Sequence, residues 1–121
     1  MALRSLTDCE RRLLDRLLHL DFPGRDEIRQ QIEECEVEPL DSDGSLNFHL
    51  KRRTSAVTTK FRVPIEAEAM DSDGIKIHVL LHVVMGKIAE LEVFKDDGSP
   101  VAKMPKPEAF ELFCPADWNI R

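Results

Sequence analysis

The chain has 121 residues, enough for one domain that buries roughly two-thirds of its unfolded surface without disulfide or metal staples. Hydrophobic residues make up 42% and charged residues 33%, which excludes disorder over most of the length, and no run of 18 apolar residues exists to span a membrane. With 17 basic against 23 acidic side chains, the net charge of −6 argues against a nucleic-acid partner, because such affinity comes from neutralising phosphates.

Thr7-Asp8-Cys9-Glu10 reads as a capping box, in which the Thr7 hydroxyl and the Glu10 carboxylate each accept from the other's amide. Leu13, Leu14, Leu17 and Leu18 follow on the stripe of Leu6 and Cys9, which predicts a helix over 8–19. Asp8 with Arg12 and Arg11 with Asp15 are spaced for i,i+4 pairing on its outer side. Asp21-Phe22-Pro23-Gly24 stops it, since proline disfavours a helical residue before it. A weaker helix spans 25–34, with Ile28, Ile32 and Cys35 as its stripe.

From Val37 the period changes to two. Strands are predicted at 45–52, 57–69, 75–84 and 87–94, with a short one at 36–40. Asp-Gly recurs at 43–44, 73–74 and 97–98, where tight turns need positive φ. Pro107 opens a short C-terminal helix that buries Phe110 and Phe113, and Trp118 is a last anchor. The fold class is therefore α+β. Two N-terminal helices pack on an antiparallel β-meander of four to five strands, with a short C-terminal helix, in a single domain over 1–121.

Several chemical motifs fail on spacing. Asp41-Ser42-Asp43-Gly44 resembles the start of a calcium loop, but its glycine is fourth rather than sixth and Arg52 stands where the bidentate glutamate belongs. Cys9, Cys35 and Cys114 form no C-x-x-C pair, and an odd count without a signal-like N-terminus fits reduced thiols in a cytoplasm. Cys9 and Cys35 occupy apolar helix positions, where cysteine acts as a small buried hydrophobe. No glycine-rich phosphate loop or Ser-His-Asp order is present, so no cofactor, metal or catalytic residue is assigned. Lys51, Arg52, Arg53, Lys60 and Arg62 make 41–62 locally basic, read as a loop and solvated strands.

His78 and His82 share a strand face about 13 Å apart at about 3.3 Å per residue, too far to chelate one ion. With Ile77, Val79, Leu81 and Val83 facing the core, Ala89, Leu91 and Val93 align with them if His78 sits opposite Glu92 and His82 opposite Ile88. That register needs a three-residue loop, Val84-Met85-Gly86, with Gly86 left-handed. A two-residue loop would turn Glu90 into the core. On the other side Glu66 then faces His78, giving a Glu66–His78–Glu92 row beside Glu68–Lys76–Phe94 and Pro64–Leu80–Glu90. A histidine between carboxylates is either cross-strand charge pairing on a solvated face or an acid–base or weak metal site.

Leu6-Thr7-Asp8-Cys9-Glu10-Arg11 through Leu17-Leu18, Asp21-Phe22-Pro23-Gly24, Val63-Pro64-Ile65-Glu66-Ala67-Glu68-Ala69 and Leu91-Glu92-Val93-Phe94 resemble a family of small uncharacterised bacterial proteins. The likeness covers residues 6–105. It implies a bacterial cytoplasmic protein and supplies no site residue.

Two functional expectations follow. The first is a non-enzymatic module that binds a protein partner through Glu66, His78, Leu80, Glu90, Glu92 and Phe94, as a monomer or homodimer. Small acidic immunity proteins that block toxins offer an analogy of size and charge. The second is a small enzyme or a ligand- or metal-binding protein built on the Glu66–His78–Glu92 row.

Overall fold

The structure, a computed structural model, describes residues 2–51, 54, 56 and 61–114. Helix α1 is Asp8–Leu17. Its capping box forms as expected: the Glu10 amide donates to the Thr7 hydroxyl at 3.1 Å and the Thr7 amide donates to Glu10 Oε1 at 2.9 Å. Arg4 adds a two-pronged contact to the same carboxylate at 2.8 Å, which holds the Glu10 carboxyl below its ordinary range. Helix α2 is Arg25–Glu33 and starts at Gly24, whose φ of 91° is left-handed. Arg11 and Asp15, expected to pair with each other, instead meet Glu33 and Arg29 at 3.9 Å, tying α1 to α2.

Among the described residues six strands form one antiparallel sheet: β1 Glu36–Pro39, β2 Leu46–His49, β3 Ile65–Met70, β4 Lys76–Val84, β5 Lys87–Lys95 and β6 Glu111–Phe113. Their order is β1-β2-β5-β4-β3-β6, so only β3-β4-β5 is a meander. The β1–β2 hairpin adds against β5, and the chain returns to place β6 beside β3. The α+β class stands, with six strands rather than four to five. The long strand expected over 57–69 is confined to Ile65–Met70 in the described residues, since Pro64 has no amide to give a ladder; 57–60 lie outside them.

The expected C-terminal helix is a three-residue 3-10 turn, Pro107–Ala109. It ends because Phe110 turns to extended backbone and drops into the core, and Arg16 of α1 donates to its carbonyl at 2.8 and 3.2 Å. Phe113 is half-buried in β6, and Trp118 lies outside the described residues.

The β4–β5 hairpin corrects the predicted register. Its loop has two residues, Met85 and Gly86, with φ of 52° and 78°. Gly86 is left-handed as expected, and so is Met85. A two-residue loop would send Glu90 into the core, but Ala89 is left over as a bulge between the pairs His82–Glu90 and Val83–Ile88. That extra residue restores the phase. Ile88 is buried opposite Val83, while Leu91 and Val93 face Leu81 and Val79, the places expected for Ala89 and Leu91. Gln31 of α2, itself buried, accepts from the Ile88 amide at 2.9 Å and donates to the Gly86 carbonyl at 3.0 Å, pinning the hairpin end.

Leu13, Leu14, Leu17 and Leu18 of α1, Ile28 and Ile32 of α2 and alternate residues of the strands share one buried cluster. Cys35 is in it, but Cys9 is exposed, because the buried stripe turns through Leu13 and Leu17 and leaves the first turn at the edge. No helix among the described residues is long and apolar enough to cross a membrane.

Candidate functional site

The alternation that buries Ile77, Val79 and Leu81 sends His78, Leu80 and His82 to the opposite sheet face. Each neighbouring strand is offset by two residues from the predicted pairing. His78 lies between Glu68 and Phe94, not between Glu66 and Glu92. Glu66 and Glu92 flank Leu80 instead, and His82 faces Glu90 rather than Ile88. The Glu66–His78–Glu92 row therefore does not exist. On the β5 side the two-residue loop and the bulge at Ala89 each shift the pairing by one residue; on the β3 side, Val63 lies before the strand and the apolar set starts at Ile65.

His78 still sits between two carboxylates, but they are different ones. Its Nδ1 lies 3.5 Å from Glu68 Oε2, and its Nε2 is hydrogen-bonded to Asp96. Its ring stacks on Phe94 with centroids 5.0 Å apart and planes at 17°. Lys76 meets Glu68 at 3.1 Å, and this contact raises the lysine above its ordinary value. His82 Nε2 lies 2.8 Å from Glu92, while its Nδ1 is buried without a hydrogen-bond partner among the described residues. Beyond β3, β6 places Glu111 beside Glu68 and Phe113 beside Glu66. The face is thus a band of carboxylates around Leu80 and Phe94, the latter 37% exposed. Of the six predicted residues, Glu66, Leu80 and Glu92 form one row, His78 and Phe94 the next, and Glu90 pairs with His82.

Cavities lie elsewhere. One of about 590 Å³ opens between α1, the turn at 42–44 and the 101–107 segment; a shallower one of about 410 Å³ lies where β2 and β5 diverge beyond Asn47. His78 lines neither. Acid–base or metal chemistry at His78 would need a concave approach for substrate.

A buried ion pair shapes the larger cavity. Lys95 continues the core-facing phase of Leu91 and Val93, so its side chain enters the interior. There its ammonium meets Asp71 at 2.9 Å and Asp73 more closely, and both side chains of the Lys95–Asp71 pair are fully buried. Burial alone would push the Asp71 carboxyl up. The amides of Ala102, Ser72 and Lys103, at 2.7, 2.6 and 3.0 Å, together with Lys95, outweigh burial and hold it far below the ordinary carboxylate range. The Asp73 contact raises Lys95 against the same burial. Asp43 accepts from the Val101 amide at 2.8 Å. Three aspartates from two Asp-Ser-Asp-Gly turns thus fix the 101–103 stretch that walls the cavity and the lysine beneath it.

Sequence reasoning read those turns only as turns and missed Lys95. The signal was available: a lysine two residues after Val93 on a core-facing strand needs a buried counter-charge. Asp96 was missed because its contact with His78 is diagonal across the sheet.

No curated protein and no solved structure significantly matches the chain. A family model described as a domain of unknown function (DUF6984) matches residues 3–105, so the chain belongs to that family.

Proposed function

We propose that the protein is a non-enzymatic binding module that takes a basic protein partner on its outer sheet face. The observation that carries this reading is Phe94, a large aromatic more than a third exposed, flanked along its strand by Glu92 and Asp96, with Glu68 beyond the stacked His78. An apolar anchor with a charged rim is the composition that interfaces use, and a carboxylate band steers basic partners. The reading takes both N-terminal helices to cover the other sheet face, leaving this one for the partner. A toxin-blocking inhibitor is one form such a module takes.

Affinity capture from the native host, followed by titration of the captured protein with wild type and Phe94→Ser, tests this. The expected result is a basic partner whose affinity falls at least about tenfold on losing the aromatic anchor, within the range for an interface hot spot. Equal affinity for both proteins would remove Phe94 and its face from the interface.

A further inference from the structure

The 590 Å³ cavity has the size of a small-molecule site, and its lining is mostly apolar. Leu13 and Leu91 belong to the core behind it, and Val101, Met104 and Pro105 form its outer wall. That wall is built rather than draped: Asp71 accepts from the amides of Ala102 and Lys103, Asp43 accepts from that of Val101, and the buried Lys95 holds Asp71. On the helix side, the bond from Arg16 to the Phe110 carbonyl draws the 105–107 segment against the preceding turn of α1. That turn carries Cys9 and Arg12.

The charges around this opening are uneven. Glu10 lines it, but its carboxylate is occupied by Arg4 and the Thr7 amide. Asp43 lines it with one oxygen committed to Val101. Arg12 and Lys106 also line it, both exposed, and neither side chain has an ion-pair or hydrogen-bond partner among the described residues. With Glu10 paired to Arg4, the two cations outnumber the one remaining carboxylate, Asp43, and a net positive rim beside an apolar chamber fits a ligand with a greasy body and one anionic end.

We propose that this cavity binds a small monocarboxylate with an apolar chain or ring, its body against Leu13, Leu91, Val101 and Met104 and its carboxylate met by Arg12 and Lys106. This site is separate from the sheet face, so it stands or falls independently of the protein partner proposed above.

Decanoate, kept below its micellar concentration, is the probe, with decanol as the uncharged control. Amide NMR shifts of the full-length protein should move at Cys9, Arg12, Gly44, 101–104 and Lys106, and Cys9 should alkylate more slowly as decanoate saturates. The Arg12→Gln/Lys106→Gln double variant removes only exposed side chains, and its melting temperature verifies its fold. It should weaken decanoate roughly tenfold while leaving decanol unchanged, as expected for losing charge-assisted contacts at a partly exposed site. Shifts confined to other regions, or no shifts at all, would overturn the cavity as the site. Equal decanoate affinity of the double variant and wild type would overturn the reading of an anionic ligand.

Discussion

The charged groups that matter most to this molecule are those that alternation forces indoors. Lys95 is on the core face because Leu91 and Val93 are, and Asp71 is kept ionised by three amides and that lysine. A carboxyl whose folded pKa is depressed stabilises the fold above its unfolded value near about 4, and the stabilisation is lost as pH falls through the folded value. Glu10, held down by Arg4, acts in the same sense. Urea midpoints of wild type and Asp71→Asn should therefore differ at neutral pH and converge as pH drops below about 4. Parallel curves down to low pH would contradict the assignment. The thiols give a second residue-level test. Cys35 is buried and its thiol is pushed up to about 11 by burial, whereas Cys9 is exposed at the cavity rim. In native protein a maleimide at neutral pH should modify Cys9 first and Cys35 only on the timescale of opening. Simultaneous modification of both would mean that the α2 end is not packed as described. The alternation of β5 already implied a core-facing lysine; its partners in a turn more than 20 residues away were not legible, because side-chain reach across a fold leaves no local pattern.

Elements were legible where one physical signal dominates. The capping box and leucine stripe located α1, and Asp-Gly located the turns, whose glycines have φ of 107°, 81° and 75°. Leu14 is 1% exposed, so Leu14→Asp puts an unpaired charge into apolar packing at a cost of several kcal/mol, comparable with the roughly 5–15 kcal/mol that holds a domain together. Circular dichroism should show an unfolded or non-cooperatively melting chain; a soluble variant with an unchanged midpoint would contradict the role of α1. Register was less legible, because two solutions satisfy the same alternation. A three-residue loop and a two-residue loop with a bulge both keep Leu91 and Val93 inside, and the chain uses the second. The choice leaves Met85 left-handed and 91% exposed. A non-glycine residue there costs roughly 1–2 kcal/mol, and asparagine tolerates that conformation better. Met85→Asn should raise stability by about 1 kcal/mol in denaturant titrations; a destabilised variant would show that the turn differs from the one described.

At the scale of the molecule, the two faces of the sheet differ: one is packed into the core and the other carries the carboxylate band. The buried face, with its continuous core, was anticipated from periodicity. The outer face was anticipated in composition but not in arrangement, since Glu66, His78, Leu80, Glu90, Glu92 and Phe94 all lie on it while their pairings are offset by two residues. The proposal needs the shared face, which the alternation alone supplies. Its carboxylates should act at long range, raising the association rate with a basic partner at low ionic strength. The most direct measurement is the association rate of the captured partner with wild type and with Glu90→Lys/Glu92→Lys, at low and high salt. The account predicts a wild-type rate that falls steeply with salt, and a double variant at least about tenfold slower at low salt with most of that dependence gone. Equal rates and equal salt dependence for the two proteins would contradict binding through this face.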